Sequence, residues 1–127
     1  MRFANHYTRG EARALLPRIR KWLKRLVELR EEIESREEKL KSLSSPGKDL
    51  GGPVVNQWVR KMAEVKSVLL EFHHRDIQIK DLDRGLIDFP AILDDKEVFL
   101  CWEQDEEDIE FWHDLDAGYA GRERFSD

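Results

Sequence analysis

"IQIKDLDRGLIDF", residues 77–89, is where the chain changes its pattern. Upstream of it, apolar residues recur every three or four positions. Within it the period becomes two, with Ile77 and Ile79 alternating against Gln78 and Lys80. A turn-like Asp83-Arg84-Gly85 follows, and then a second apolar run. The chain therefore divides into a helical front and a stranded back.

Downstream, "EVFLCWE" (97–103) and "DIEFWH" (108–113) continue the strand pattern. Asp94-Asp95-Lys96 offers the hairpin connection between the second and third strands. In the last run Ile109, Phe111 and His113 alternate against Glu110, Trp112 and Asp114. These runs predict a three- to four-stranded antiparallel meander over residues 76–127. The last twelve residues, with Gly118 and Gly121, read as a tail or loop.

Upstream, Thr8-Arg9-Gly10-Glu11 fits a capping box, so a helix should start there. Pro17 removes a backbone donor and predicts a kink near Leu16. Beyond it Ile19, Trp22, Leu26, Leu29, Ile33, Leu40 and Leu43 fall on heptad positions a and d, interrupted only by Arg36. That stripe predicts a helix of about 27 residues, roughly 40 Å long. A Ser/Gly/Pro-rich loop over 44–53 leads to a second stripe: Val55, Trp58, Met62, Val65, Leu69 and Phe72. Two matched stripes joined by a short loop predict an antiparallel, coiled-coil-like hairpin over residues 8–75. Leu23, Val27, Val59, Val68 and Leu70 widen the stripes, so the hairpin needs a further partner. The fold class is α+β within one domain of 127 residues, and the excess apolar surface predicts a two-fold homodimer.

Charge is 39% of the composition and its placement is uneven. Residues 1–48 carry 13 Lys/Arg against 7 Asp/Glu, whereas residues 76–127 carry 5 against 17. The acidic back repels phosphates, which disfavours nucleic acid as a partner of the whole chain. No apolar run approaches the roughly 20 residues of a membrane helix, so no membrane partner is expected. The single Cys101 excludes an internal disulfide. With no signal-peptide pattern after Met1, a cytoplasmic protein is the expectation.

The wording of several stretches carries a resemblance. "EARALLPRIR" (11–20), "IQIKDLDRGLIDFPA" (77–91), "VFLCW" (98–102) and "FWHDLDAGYAGR" (111–122) resemble a small prokaryotic family, the domain of unknown function number twenty-two-oh-three. The resemblance spans nearly the whole chain. It implies no established activity, cofactor or catalytic residue. "HHRD" (73–76) departs from the family pattern, which commonly has a glycine just before "IQIKD".

Candidate chemistry centres on His113, Asp114 and Asp116, joined by Asp81, Asp83 or Asp88. An imidazole with two carboxylates can hold a divalent metal ion and leave positions for water. The competing reading is an Asp-rich turn before Gly118. Arg84 is a candidate anion clamp or a partner for nearby aspartates. His73 and His74 sit where a helix C-terminus favours them. Cys101 reads as a small buried hydrophobe. The basic run Arg18, Arg20, Lys21, Lys24 and Arg25 is a solvated face, or meets the acidic half. A non-enzymatic, self-associating interaction or scaffold protein is the leading expectation, and a metal-binding protein or metal-dependent enzyme the alternative. A hairpin that probes a larger machine, as in transcript-cleavage factors, needs an acidic tip, and here the tip offers only Asp49.

Overall fold

The computed structural model describes residues 1–43 and 52–126. Helix α1 spans Arg9–Leu43. Its start is the expected capping box: the Glu11 amide donates to Thr8 Oγ1 at 3.1 Å, and the Thr8 amide donates to Glu11 Oε1 at 2.9 Å. Helix α1 continues through Pro17. Pro17 withholds a donor from the carbonyl of Arg13, and both residues are exposed, so water can serve that carbonyl.

Helix α2 spans Gly52–His73. Of the loop expected over 44–53, Gly52 and Pro53 open α2, and residues 44–51, with Asp49, lie outside the described residues. Lys61 reaches Glu32 at 3.2 Å, and the Trp58 indole reaches Glu37 at 3.3 Å. Arg25 grips both carboxylate oxygens of Glu64, one of them at 2.8 Å. Residue numbers rise on one helix as they fall on the other, so the pair is an antiparallel hairpin.

Five strands follow: β1 (Gln78–Asp81), β2 (Leu86–Leu93), β3 (Lys96–Trp102), β4 (Phe111–Asp114) and β5 (Glu123–Arg124). They form one antiparallel sheet in chain order. The fifth strand lies in the stretch read as a tail. Two residues are too few to show a period of two. Asp94 and Asp95 make the β2–β3 hairpin with φ of 50° and 62°, the left-handed pair that matches strand twist.

One sheet face packs on the helices. Ile87, Phe89, Ala91, Val98, Leu100 and Trp102 meet Ala12, Leu16, Ile19, Leu23 and Leu26 of α1 and Phe72 of α2. Burying such side chains stabilises by about 1.5–3 kcal/mol each, before entropy is subtracted. The other face carries Leu86, Asp88, Phe99, Cys101 and His113. It is covered by the N-terminal segment, where Phe3 meets Phe99 at 5.4 Å between ring centroids, and by residues after β4. Ile109 belongs to the helix-facing core, whereas His113 lies on the outer face. The expected alternation of the two on one face fails because β4 begins only at Phe111.

Arginines of α1 tie the helix to the acidic half. Arg13 pairs with Asp108 at 2.6 and 2.9 Å, and Arg30 with Asp83 at 2.7 Å. Arg20 donates to the carbonyls of Gln104 and Glu106 at 2.6 and 2.9 Å and stacks on Trp102 at 4.8 Å. Among the described residues, no helix is long and apolar enough to cross a membrane.

Candidate metal centre

Antiparallel register gathers three chemically distinct side chains. Asp88 of β2 lies opposite Cys101 of β3, and Phe99 of β3 lies opposite His113 of β4. Cys101 and His113 are therefore diagonal neighbours on adjacent strands, within side-chain reach. A carboxylate oxygen of Asp88, the Cys101 sulfur and a ring nitrogen of His113 all lie within 4.8 Å of one another, and all three residues are buried.

Each ring nitrogen of His113 has a partner. Nδ1 lies 2.7 Å from the carbonyl of Asp114, and Nε2 lies 3.0 Å from Asp88 Oδ2. A carbonyl only accepts, so Nδ1 carries a proton. The carboxylate also accepts, so the ring is an imidazolium donating from both nitrogens. Burial pulls its pKa down, but the Asp88 carboxylate, Cys101 and the Asp114 carbonyl outweigh this and raise it to about 10. The second Asp88 oxygen, Oδ1, is buried without a hydrogen-bond partner. Such a group costs about 1–3 kcal/mol.

The cluster opens onto a cavity of about 180 Å³ lined also by Lys80, Phe99, Leu115, Gly118 and Tyr119. Arg122 approaches the Cys101 sulfur to 3.9 Å while its guanidinium pairs with Glu106 at 2.8 Å. Tyr119 sits 4.3 Å from both the Arg84 and Arg122 guanidiniums and forms one wall.

The family model for the uncharacterised conserved protein DUF2203 matches residues 5–125. The chain belongs to this family. No match was found among curated proteins or among solved structures. In this DUF2203 chain, three stretches separated in sequence each supply one member of the cluster: Asp88 from "LIDF", Cys101 from "FLCW" and His113 from "FWHD".

Other residues singled out in the sequence have different neighbours. Asp81 Oδ1 accepts the Arg84 amide at 3.1 Å and closes the β1–β2 turn. Asp83 pairs with Arg30. The Asp114 side chain meets Lys96 at 2.6 Å, and only its backbone carbonyl reaches His113. Asp116 is fully exposed, 3.9 Å from Arg2. Arg84 pairs with Glu103 at 2.6 Å. His73 and His74 are exposed at the end of α2, with ring centroids 6.0 Å apart. Of the basic run, Arg20 and Arg25 are engaged, and Arg18, Lys21 and Lys24 are exposed.

Proposed function

We propose that this chain is a metal-binding protein, with Asp88, Cys101 and His113 as the ligands of a zinc-class divalent ion. One observation carries the reading. A carboxylate, a thiol and an imidazole from three strands face one buried point, where Asp88 Oδ1 has no partner. The donor set is right for the chemistry: mixed sulfur, nitrogen and oxygen ligands suit Zn²⁺ and its neighbours. Tetrahedral zinc holds nitrogen and oxygen ligands about 3.3 Å apart, and Nε2 and Oδ2 are already 3.0 Å apart. Charge also balances, since one carboxylate, one thiolate and a neutral imidazole neutralise a dication in a buried site. The Asp114 carbonyl then orients the ring, as an outer partner of a metal-bound histidine does. The adjoining cavity would leave room for a water or substrate ligand. A thiolate ligand suits a reducing compartment, which favours the cytoplasm.

Thiol catalysis is less well supported. His113 is already protonated on both ring nitrogens, held by Asp88 and the Asp114 carbonyl, so it is not poised to take a proton from Cys101. The test is metal content by mass spectrometry on tag-free protein, with cobalt(II) replacement as a second readout. About one ion per chain is expected in the wild type, with loss in Asp88→Asn, Cys101→Ser and His113→Ala and retention in Asp116→Ala. Cobalt should show a near-ultraviolet thiolate charge-transfer band that Cys101→Ser removes. Protein that takes up no ion after incubation with zinc, cobalt, nickel and manganese would overturn the reading.

A further inference from the structure

Helix α2 presents an apolar stripe that nothing among the described residues covers. Val55, Val59, Met62, Leu69 and Leu70 are all exposed, Val59 by 52%. On a helical wheel they fall on one side, next to the edge that faces α1. The stripe is about 22 Å long at 1.5 Å per residue. Beside it runs a groove of about 550 Å³, floored by Leu26, Ile33 and Val65 and closed at one end by Ile79 and Leu82. Scattered exposed apolar residues are ordinary, but a contiguous stripe against a groove marks an interaction surface.

Charge identifies the occupant. Lys66 is the one charged residue on the stripe, and it makes no ion pair among the described residues. The α1 wall of the groove carries Glu34 and Glu37. Glu37 holds only the Trp58 indole, and Glu34 makes no hydrogen bond among the described residues. Across the hairpin, Lys61 is level with Glu32 and Trp58 with Glu37, so Val59 is level with Glu34. A two-fold axis near Met62 carries Lys66 of one copy to the level of Val59 of the other. It therefore brings each Lys66 to the other copy's Glu34. One surface then supplies both halves of its own complement, as a two-fold interface requires.

We propose that two copies of this chain pair through α2 in this way. Met62 and Leu69 of each copy lie over the groove of the other, Lys66 meets Glu34 and Glu37 across the axis, and the two hairpins form a four-helix arrangement. The packing is that of antiparallel helical bundles. The apolar residues supply the attraction, and the lysine–glutamate contacts set direction and register. The pairing is independent of the metal site, which lies on the far side of the sheet.

Sedimentation equilibrium on the full chain tests it. The wild type should have twice the 15.1 kDa chain mass, and Met62→Glu and Leu69→Glu should each give monomer with unchanged far-ultraviolet circular dichroism. Lys66→Glu and Glu34→Lys should each weaken pairing by roughly tenfold or more. Mixed together, those two variants should pair with each other, and the double variant Lys66→Glu/Glu34→Lys should regain self-pairing. A monomeric wild type at about 100 μM, well above the dissociation constant of a stable interface, would overturn the proposal. So would a dimer indifferent to Met62→Glu, or single charge variants that weaken pairing but fail to rescue each other.

Discussion

His113 Nε2 lies 3.0 Å from Asp88 Oδ2, and both side chains are about 2% exposed. The ion pair joins two strands that are not neighbours, since β3 runs between β2 and β4. Removing one partner leaves a buried charge without compensation. In chelator-treated protein, Asp88→Ala and His113→Ala should therefore each cost about 3–5 kcal/mol. The double variant should cost less than their sum by about 1–3 kcal/mol. Urea denaturation of the four proteins gives this coupling, and strictly additive losses would mean that the pair does not act as a unit.

Acid should release the N-terminal segment first. Glu97 accepts the amides of Arg2 and Phe3 at 2.8 and 3.0 Å and the His6 ring at 2.7 Å. The His6 bond lowers its pKa most, burial opposes this, and the two amides lower it further, to about 2 against an ordinary 4.5. A carboxyl lowered by folding stabilises the fold above its unfolded value and loses that contribution as pH falls through its folded value. Protection of the Arg2 and Phe3 amides from hydrogen exchange should thus hold at pH 5 and fade between about 4.5 and 2. In Glu97→Gln it should be low at every pH.

The sequence showed most of the architecture because local chemistry fixes it. Thr8 and Glu11 cap α1, Asp94 and Asp95 make a hairpin turn, and the change of period at Ile77 marks the sheet. The orientation of α2 was harder to read. Val54 stands beside Val55 and Val68 beside Leu69, so the apolar arc is wide, and periodicity alone does not say which edge meets α1. Half-burial of Val54, Trp58, Val65 and Val68, beside exposed Val55, Met62 and Leu69, settles it. At the site, His113 was legible, Asp88 stood only as one of three aspartates that could join it, and Cys101 read as a buried hydrophobe. Asp88 and Cys101 meet it through strand register, which depends on turn lengths and bulges across 25 residues. A signal was present: Asp88 is a lone carboxylate within the apolar run Leu86 to Ala91, where an unpaired charge is costly.

Gly85 and Gly118 share a positive φ, of 62° and 68°, but Gly118 combines it with ψ of −172°, a region essentially reserved for glycine, and the two differ in their surroundings. A Cβ on Gly85 would lie 2.7 Å from the Gln104 side chain, whereas one on Gly118 meets nothing within 4 Å. Gly118→Ala should carry only a backbone cost, of about 1–3 kcal/mol. Gly85→Ala adds steric overlap, for a further loss of about 1 kcal/mol or more. Both denaturant midpoints should therefore fall below the wild type, and Gln104→Ala should recover part of the loss in Gly85→Ala but none in Gly118→Ala. No recovery in the Gly85→Ala background would mean that Gln104 already swings clear.

Metal binding should release protons, because the proton between His113 Nε2 and Asp88 Oδ2 occupies the direction a metal ion needs. Nδ1 keeps its own proton, held by the Asp114 carbonyl at 2.7 Å, so the ring can present only Nε2 as a ligand. Every ion bound must therefore displace at least that one proton. Calorimetric titration of chelator-treated protein with zinc, in two buffers of different ionisation enthalpy, measures the number released. At least one per ion is expected near neutral pH, with affinity rising about tenfold per pH unit for each proton displaced. His113→Ala should remove that release along with most of the affinity. Zinc uptake with no proton release would place the ion elsewhere, on carboxylates that are already ionised, such as the exposed Asp116.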